Sequence, residues 1–166
     1  MTLKITKDNT KAVLAALRSL TKSDVLVGVP SSETAREPEE GEPEGITNAA
    51  IGYIAEFGSP ARNIPERPHL IPGIKSVEAK IAKTFRVGAN GVMDGKKDAA
   101  SQALHKAGMI GQSAVRAKVT EGEFVALSES TLANRRRRGR TGEKPLIDTG
   151  QYRRSITYVV RPRGAE

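Results

Sequence analysis

The chain has 166 residues, a length that suits one domain with appendages better than two, and it is 37% hydrophobic but only 4% aromatic, with no Trp. Cys is absent, which excludes disulfides, thiolate metal ligands and cysteine nucleophiles together. Formal net charge is +8 and unevenly spread: residues 132–166 hold ten Lys or Arg against three acids, net +7, while residues 31–45 hold six Glu against Arg36, net −5. Such two-sidedness suits pairing between neighbouring subunits as well as it suits nucleic acid. The apolar stretch 49–55 is far shorter than the ~20 residues a membrane span needs, and the first residues show no basic region followed by an apolar one. The expectation is a soluble chain, cytoplasmic when made, with no membrane partner.

In chain order, residues 10–22 place Val13, Leu14, Leu17 and Leu20 on one face at helical spacing, with Asp8 or Thr10 as N-cap. The β-branched run 25–29, closed by Pro30, reads as a buried strand. Residues 31–45 combine clustered Glu with Pro38 and Pro43 and read as a mobile acidic loop. Thr47 can cap a second helix with Ala50, Ile51, Ile54 and Phe57 along one side, stopped by Gly58 and Pro60. Residues 63–72, with Pro65, Pro68 and Pro72, read as a stiff extended connector.

Ile74, Val77, Ile81 and Phe85 then give a third helix to about Arg86, broken by Gly88 and Gly91. Asp94 can cap a long helix to about Val119 whose stripe of Ala100, Leu104, Ala107, Gly111, Ala114 and Val115 is mostly small, so that another backbone can approach closely. Residues 128–134 suit one or two helical turns, and 134–144, with its arginine run, reads as a basic loop. Asp148 or Thr149 can cap a short turn, after which Ile156, Tyr158 and Val160 alternate with their neighbours as in a half-buried strand. The expected fold is one α+β domain over residues 1–166: a small mixed or antiparallel sheet packed with a long helix and shorter helices.

No catalytic pattern is complete in the sequence. A phosphate loop ending at Lys96 needs Gly where Asn90 stands and Ser or Thr where Lys97 stands. His69 and His105 have no second His at i+4 and no acid at ligand spacing, so each reads as a packing or surface residue. No Ser sits in a G-x-S-x-G elbow. The expectation is no enzyme, no cofactor and no metal. Arg135, Arg136, Arg137, Arg138 and Arg140 read either as a solvated loop or as an electrostatic contact with an acidic neighbour or with phosphates lining a DNA channel. Interleaved aromatics are missing nearby, so any DNA contact is expected to be weak and sequence-blind.

Two stretches are more specific. Ala50-Ile51-Gly52-Tyr53-Ile54-Ala55-Glu56-Phe57-Gly58-Ser59, followed by Ile64-Pro65-Glu66-Arg67-Pro68-His69-Leu70, is the first. It resembles the "A-x-x-x-E-F-G-[TS] … I-P-x-R-P-F-L" signature of phage minor tail, neck and virion-morphogenesis proteins. Ser130-Thr131-Leu132, then Lys144-Pro145-Leu146-Ile147-Asp148-Thr149-Gly150-Gln151-Tyr152-Arg153-Arg154-Ser155-Ile156, is the second. It is similar to the "S-T-L … K-P-L-I-D-T-G-x-L-x-x-S-I" ending of the same family in Mu-like phages and prophages. His69 stands where that pattern has Phe, Tyr152 stands where it has Leu, and the segment 31–45 is unusually acidic.

The resemblance implies a structural virion protein of a tailed bacteriophage, a tail-completion or neck component at the head-to-tail junction. It would be made in the host cytoplasm and carried in the virion. It would form a homo-oligomeric ring, a hexamer or dodecamer, against neighbouring neck, connector and tail-tube or terminator proteins, with genome DNA passing through without sequence specificity. The alternatives are a tail terminator or other minor tail protein, a non-specific nucleic-acid-binding protein using the basic C-terminal region, and a cell-wall hydrolase, which no acid pair supports. Glu56, Phe57, Gly58, Ile64, Pro65, Arg67, Pro68, Leu70, Leu146, Asp148, Thr149 and Gly150 are the expected subunit-interface residues. The proline-rich strap can dock on a neighbour at little ordering cost or fix an internal chain reversal, and both readings stay open. Charge asymmetry adds the expectation that the acidic loop of one subunit meets the basic C-terminal region of the next.

Overall fold

The computed structural model describes residues 10–30, 32 and 46–164, so the expected acidic loop at 31–45 lies almost wholly outside the described residues. The architecture is mixed α+β: seven helices among the described residues with a two-stranded antiparallel sheet. In chain order the elements are α1 (Thr10–Thr21), β1 (Ser23–Gly28), α2 (Asn48–Phe57), a 3-10 turn (Pro60–Arg62), α3 (Leu70–Lys75), α4 (Glu78–Met93), α5 (Ala99–Glu121), α6 (Glu129–Arg137), α7 (Gln151–Ser155) and β2 (Thr157–Pro162). The two strands pair from Ser23 opposite Pro162 to Gly28 opposite Thr157. Both are only half-buried, so β1 is not the enclosed strand its β-branched run suggests.

Helix α5 is the axis of the molecule, touching α1, α3, α4 and both strands. Its small residues make that possible. A Cβ on Gly108 would overlap the Tyr158 ring of β2, and one on Gly111 would lie 3.0 Å from Ile74 and Val27. The buried stripe is Ala100, Ala103, Leu104, Ala107, Gly108, Gly111, Val115 and Val119, with Ala114 only half-buried. Val115, Val119, Tyr152 and Ile156 form the central cluster, with Val27, Ile51, Leu70, Ile74, Leu146 and Ile147 packed around it. On the far side α1 leaves a cavity of about 770 Å³ walled by Leu17, Leu20, Val25, Ile81 and Phe85.

Several boundaries differ from expectation for identifiable reasons. The third helix divides into α3 and α4, and the second of these runs through Gly88 and Gly91 instead of ending at them. A Cβ on Gly88 would collide with that of Ala103, and one on Gly91 would come within 2.8 Å of that of Ala99. These glycines therefore serve the α4–α5 crossing, where close packing outweighs their low helix propensity. Asp94 closes α4, and Asp98 stands at the start of α5. Pro72 sits in the first turn of α3, where its missing N–H breaks no intrahelical bond. The run Arg135–Arg137 is helical: it forms the last turn of α6, where cations complement the helix dipole.

Replacing Gly88 by Ala should raise local helix propensity by up to about 1 kcal/mol, yet the collision with Ala103 should leave a net loss of about 1–3 kcal/mol. The urea midpoint of the variant against the natural chain measures this.

Candidate functional site

Thr47 starts α2 by accepting the Ala50 N–H at 3.1 Å, and the helix ends at Gly58 with φ 70°. A Cβ there would lie 2.9 Å from the Ile64 carbonyl, so only glycine fits without strain. The chain then reverses tightly: Ser59 and Ile64 exchange N–H···O bonds at 2.9 and 3.0 Å, across the 3-10 turn and Asn63 at φ 54°. The strap running back is tied at three levels. The Arg67 N–H donates to the Ala55 carbonyl at 2.6 Å. The Arg67 guanidinium donates to the Val125 and Ala126 carbonyls at 2.9 and 3.0 Å, and burial lowers its pKa. The Glu56 carboxyl, 4% exposed, accepts the backbone N–H groups of His69, Leu70 and Ile71 at 2.7, 2.8 and 3.0 Å.

His69 is completely enclosed. Its Nδ1 faces two acceptors, the Arg67 carbonyl at 2.9 Å and Glu56 Oε2 at 3.3 Å. The proton therefore belongs on Nδ1, leaving Nε2 to accept the Tyr152 hydroxyl. Burial pushes the imidazole pKa below its ordinary value, opposed by the bond to the Arg67 carbonyl and by Glu56. Burial, and then Glu56, push the Tyr152 phenol up. The rings meet edge to face at 5.4 Å. His69 and Tyr152, 83 residues apart in sequence, thus touch each other as a hydrogen-bonded pair.

The second motif locks in beside it. Leu146 and Ile147 pack on the core. Asp148 does not cap α7; it receives Arg140 at 2.6 Å and lies 3.6 Å from Arg135. Arg135 also donates to the Gly142 and Lys144 carbonyls at 2.7 and 2.9 Å. The N-cap position of α7 falls to Gly150 at φ 78°, with the Thr149 hydroxyl accepting the Gln151 N–H at 3.5 Å. Within the arginine group Arg135 and Arg140 are therefore internal fasteners, whereas Arg136, Arg137 and Arg138 are exposed.

Between the motifs lies an open groove of about 340 Å³, walled by Ile51, Ile54, Ile64, Arg67, Leu146 and Tyr152, with Arg135, Asp148, Thr149 and Gly150 along one side. Glu56, His69 and Leu70 support it from behind through the contacts above. Phe57, Pro65 and Pro68 point outward and are exposed. Phe57 does not share the face of Ile51 and Ile54: it is 51% exposed and lies 5.0 Å from the Tyr53 ring, itself 66% exposed. The buried face of α2 is instead Asn48, Gly52, Ala55 and Glu56. Gly52 is required there, since a Cβ would press on Tyr152 at 2.9 Å. His69 is the packing residue expected from the sequence, but its pairing with Tyr152 and the exposure of Tyr53 were not; the signal available for the pair was that His69 and Tyr152 both carry a hydrogen-bonding end. Among the described residues no group of three or more His, Cys, Asp or Glu is placed to hold a metal. No family model, curated protein or solved structure matches the chain.

Glu56→Ala orphans three buried or half-buried N–H groups and should cost about 3 kcal/mol or more, read as a fall in the denaturant midpoint. His69→Phe and Tyr152→Leu should each destabilise, while the double variant should be more stable than their sum predicts by roughly 1–2 kcal/mol; a double-mutant cycle gives the coupling. Because the folded state holds His69 neutral with a lowered pKa, its contribution is complete above the unfolded value of about 6.5 and is lost as pH falls below it. The natural chain should therefore lose more stability between pH 7.5 and 5 than His69→Gln does, measured by denaturation at both pH values.

Proposed function

We propose that this chain is a structural, non-enzymatic subunit of a tailed-bacteriophage virion, a tail-completion or neck component whose copies close into a ring at the head-to-tail junction. One observation carries the reading. The two motif-bearing segments, far apart in sequence, form a single internally latched unit that offers an open apolar groove on one side of α2 and the exposed Tyr53–Phe57 pair on another. Tyr53 and Phe57 are four residues apart and so share a face, while Ile51 and Ile54 line the groove from a different one. Two unlike surfaces on one subunit are what head-to-tail contacts need, and such contacts close into a ring when the rotation permits.

The buried polar trio supports a structural role rather than chemistry. His69 is inaccessible, and the Tyr152 phenol is harder to ionise than usual, so neither offers a base or nucleophile to a substrate. The proline-rich strap holds its shape through internal bonds, which favours the chain-reversal role for Glu56, Gly58 and Arg67 and leaves Phe57, Pro65 and Pro68 as its outward contacts. Charge pairing across the ring falls to the exposed Arg137, since Arg135, Arg136 and Arg140 are already engaged within the subunit.

Light scattering of the purified chain should give a mass several times that of the monomer. Tyr53→Ser with Phe57→Glu should reduce it to the monomer while leaving the circular dichroism spectrum unchanged. Particles made without this polypeptide should accumulate filled heads and separate tails; normal joining of the two would refute the reading.

A further inference from the structure

Several of the arginines that dominate the sequence are not available to an outside anion. Arg67, Arg116, Arg135 and Arg163 spend their guanidinium groups on carbonyls or carboxylates of the same chain. By contrast, Lys80 and Lys83 on α4, Lys96 in the α4–α5 connection and Lys106 on α5 gather along one groove of about 450 Å³. All four are exposed, and among the described residues their ammonium groups make no hydrogen bond or ion pair. Among the described residues no carboxylate lines the groove. Lys80 and Lys83 are one helical turn apart, and the groove follows α4 from Lys80 to Gly91, about 16 Å at the α-helical rise.

We propose that this α4–α5 groove binds the phosphate backbone of duplex nucleic acid without reading its sequence. It deepens the ring reading by assigning the face that meets the passing genome, and rests on that reading only for which duplex is bound. The groove walls are two helices whose backbone groups bond within their own turns, so an acidic peptide would find no main-chain partners. The Thr84 hydroxyl is likewise engaged, donating to the Lys80 carbonyl at 2.9 Å. What remains is a row of mobile point charges above a floor of Gly88, Gly91, Ala99 and Ala103. Lysine ammonium groups at such a surface neutralise phosphates and release counterions. Among the described residues no aromatic ring lines the groove on which a base could stack.

The test is fluorescence anisotropy with a random-sequence 30-base-pair duplex between 50 and 200 mM salt, using the full chain. The natural protein should bind at the low end and weaken steeply with salt. Lys80→Gln, Lys83→Gln, Lys96→Gln and Lys106→Gln together should weaken binding at least ten-fold at 50 mM, and lower the slope of log K against log salt by about 3 to 4, at roughly 0.9 per phosphate contact. Glutamine keeps helix propensity, and an unchanged circular dichroism spectrum confirms folding. Arg136→Gln, Arg137→Gln and Arg138→Gln together should change affinity less than three-fold. The inference is overturned if the natural chain does not bind, if the lysine variant binds equally well, or if a synthetic peptide of residues 31–45 binds the groove while the duplex does not. None of these outcomes alters the mass from light scattering, so the ring reading stands or falls separately.

Discussion

Three backbone N–H groups at the start of α3 converge on the Glu56 carboxyl, which sits 4% exposed at the end of α2. A helix start has donors without intrahelical partners, and burying them unsatisfied costs free energy for each one. Glu56 satisfies these donors with a single side chain from a preceding helix. That contact fixes the angle between α2 and α3 and so the length of strap that must connect them. The positive φ of Gly58, the Ser59–Ile64 bridge and the Arg67 N–H bond to Ala55 all follow as the ways the chain covers that distance.

The same carboxyl faces His69, and through it the consequence reaches the C-terminal third of the chain. His69 can be enclosed only if both ring nitrogens find partners, and Tyr152 supplies the second. Tyr152 belongs to the central cluster with Val115, Val119 and Ile156. The strap, the core and α7 are therefore held by one continuous set of contacts. Gly52 and Gly73 are part of the same solution, each giving up a side chain so that Tyr152 and Val115 can approach.

Charge is sorted by the fold in a way its linear distribution conceals. The arginine run looks like the molecule's electrostatic face, yet Arg135 and Arg140 act as internal ties to Asp148 and to backbone carbonyls. Arginine suits that task because its planar fork meets several acceptors at once. Lys80, Lys83, Lys96 and Lys106, scattered in sequence, collect along one groove that no carboxylate lines among the described residues. Lysine keeps its charge at the end of a flexible stem.

Elements whose signals are local can be read from the residues alone. Thr47 as a cap, Gly58 as a stop, the long α5 with its small-residue stripe and the alternation before Arg161 all depend on neighbours a few residues away, and the α+β class follows from them. Whatever depends on the residue lying opposite emerges only once the segments pack. Gly88 and Gly91 read as helix breakers until Ala99 and Ala103 are placed against them. Phe57 reads as one face with Ala50, Ile51 and Ile54 until α2 is seen to bury Glu56 and turn its rings outward. His69 reads as an isolated imidazole until Tyr152, 83 residues later, is brought to its free nitrogen. Periodicity and capping are properties of one segment, whereas burial and partnership belong to pairs of segments, and only the folded chain creates those pairs.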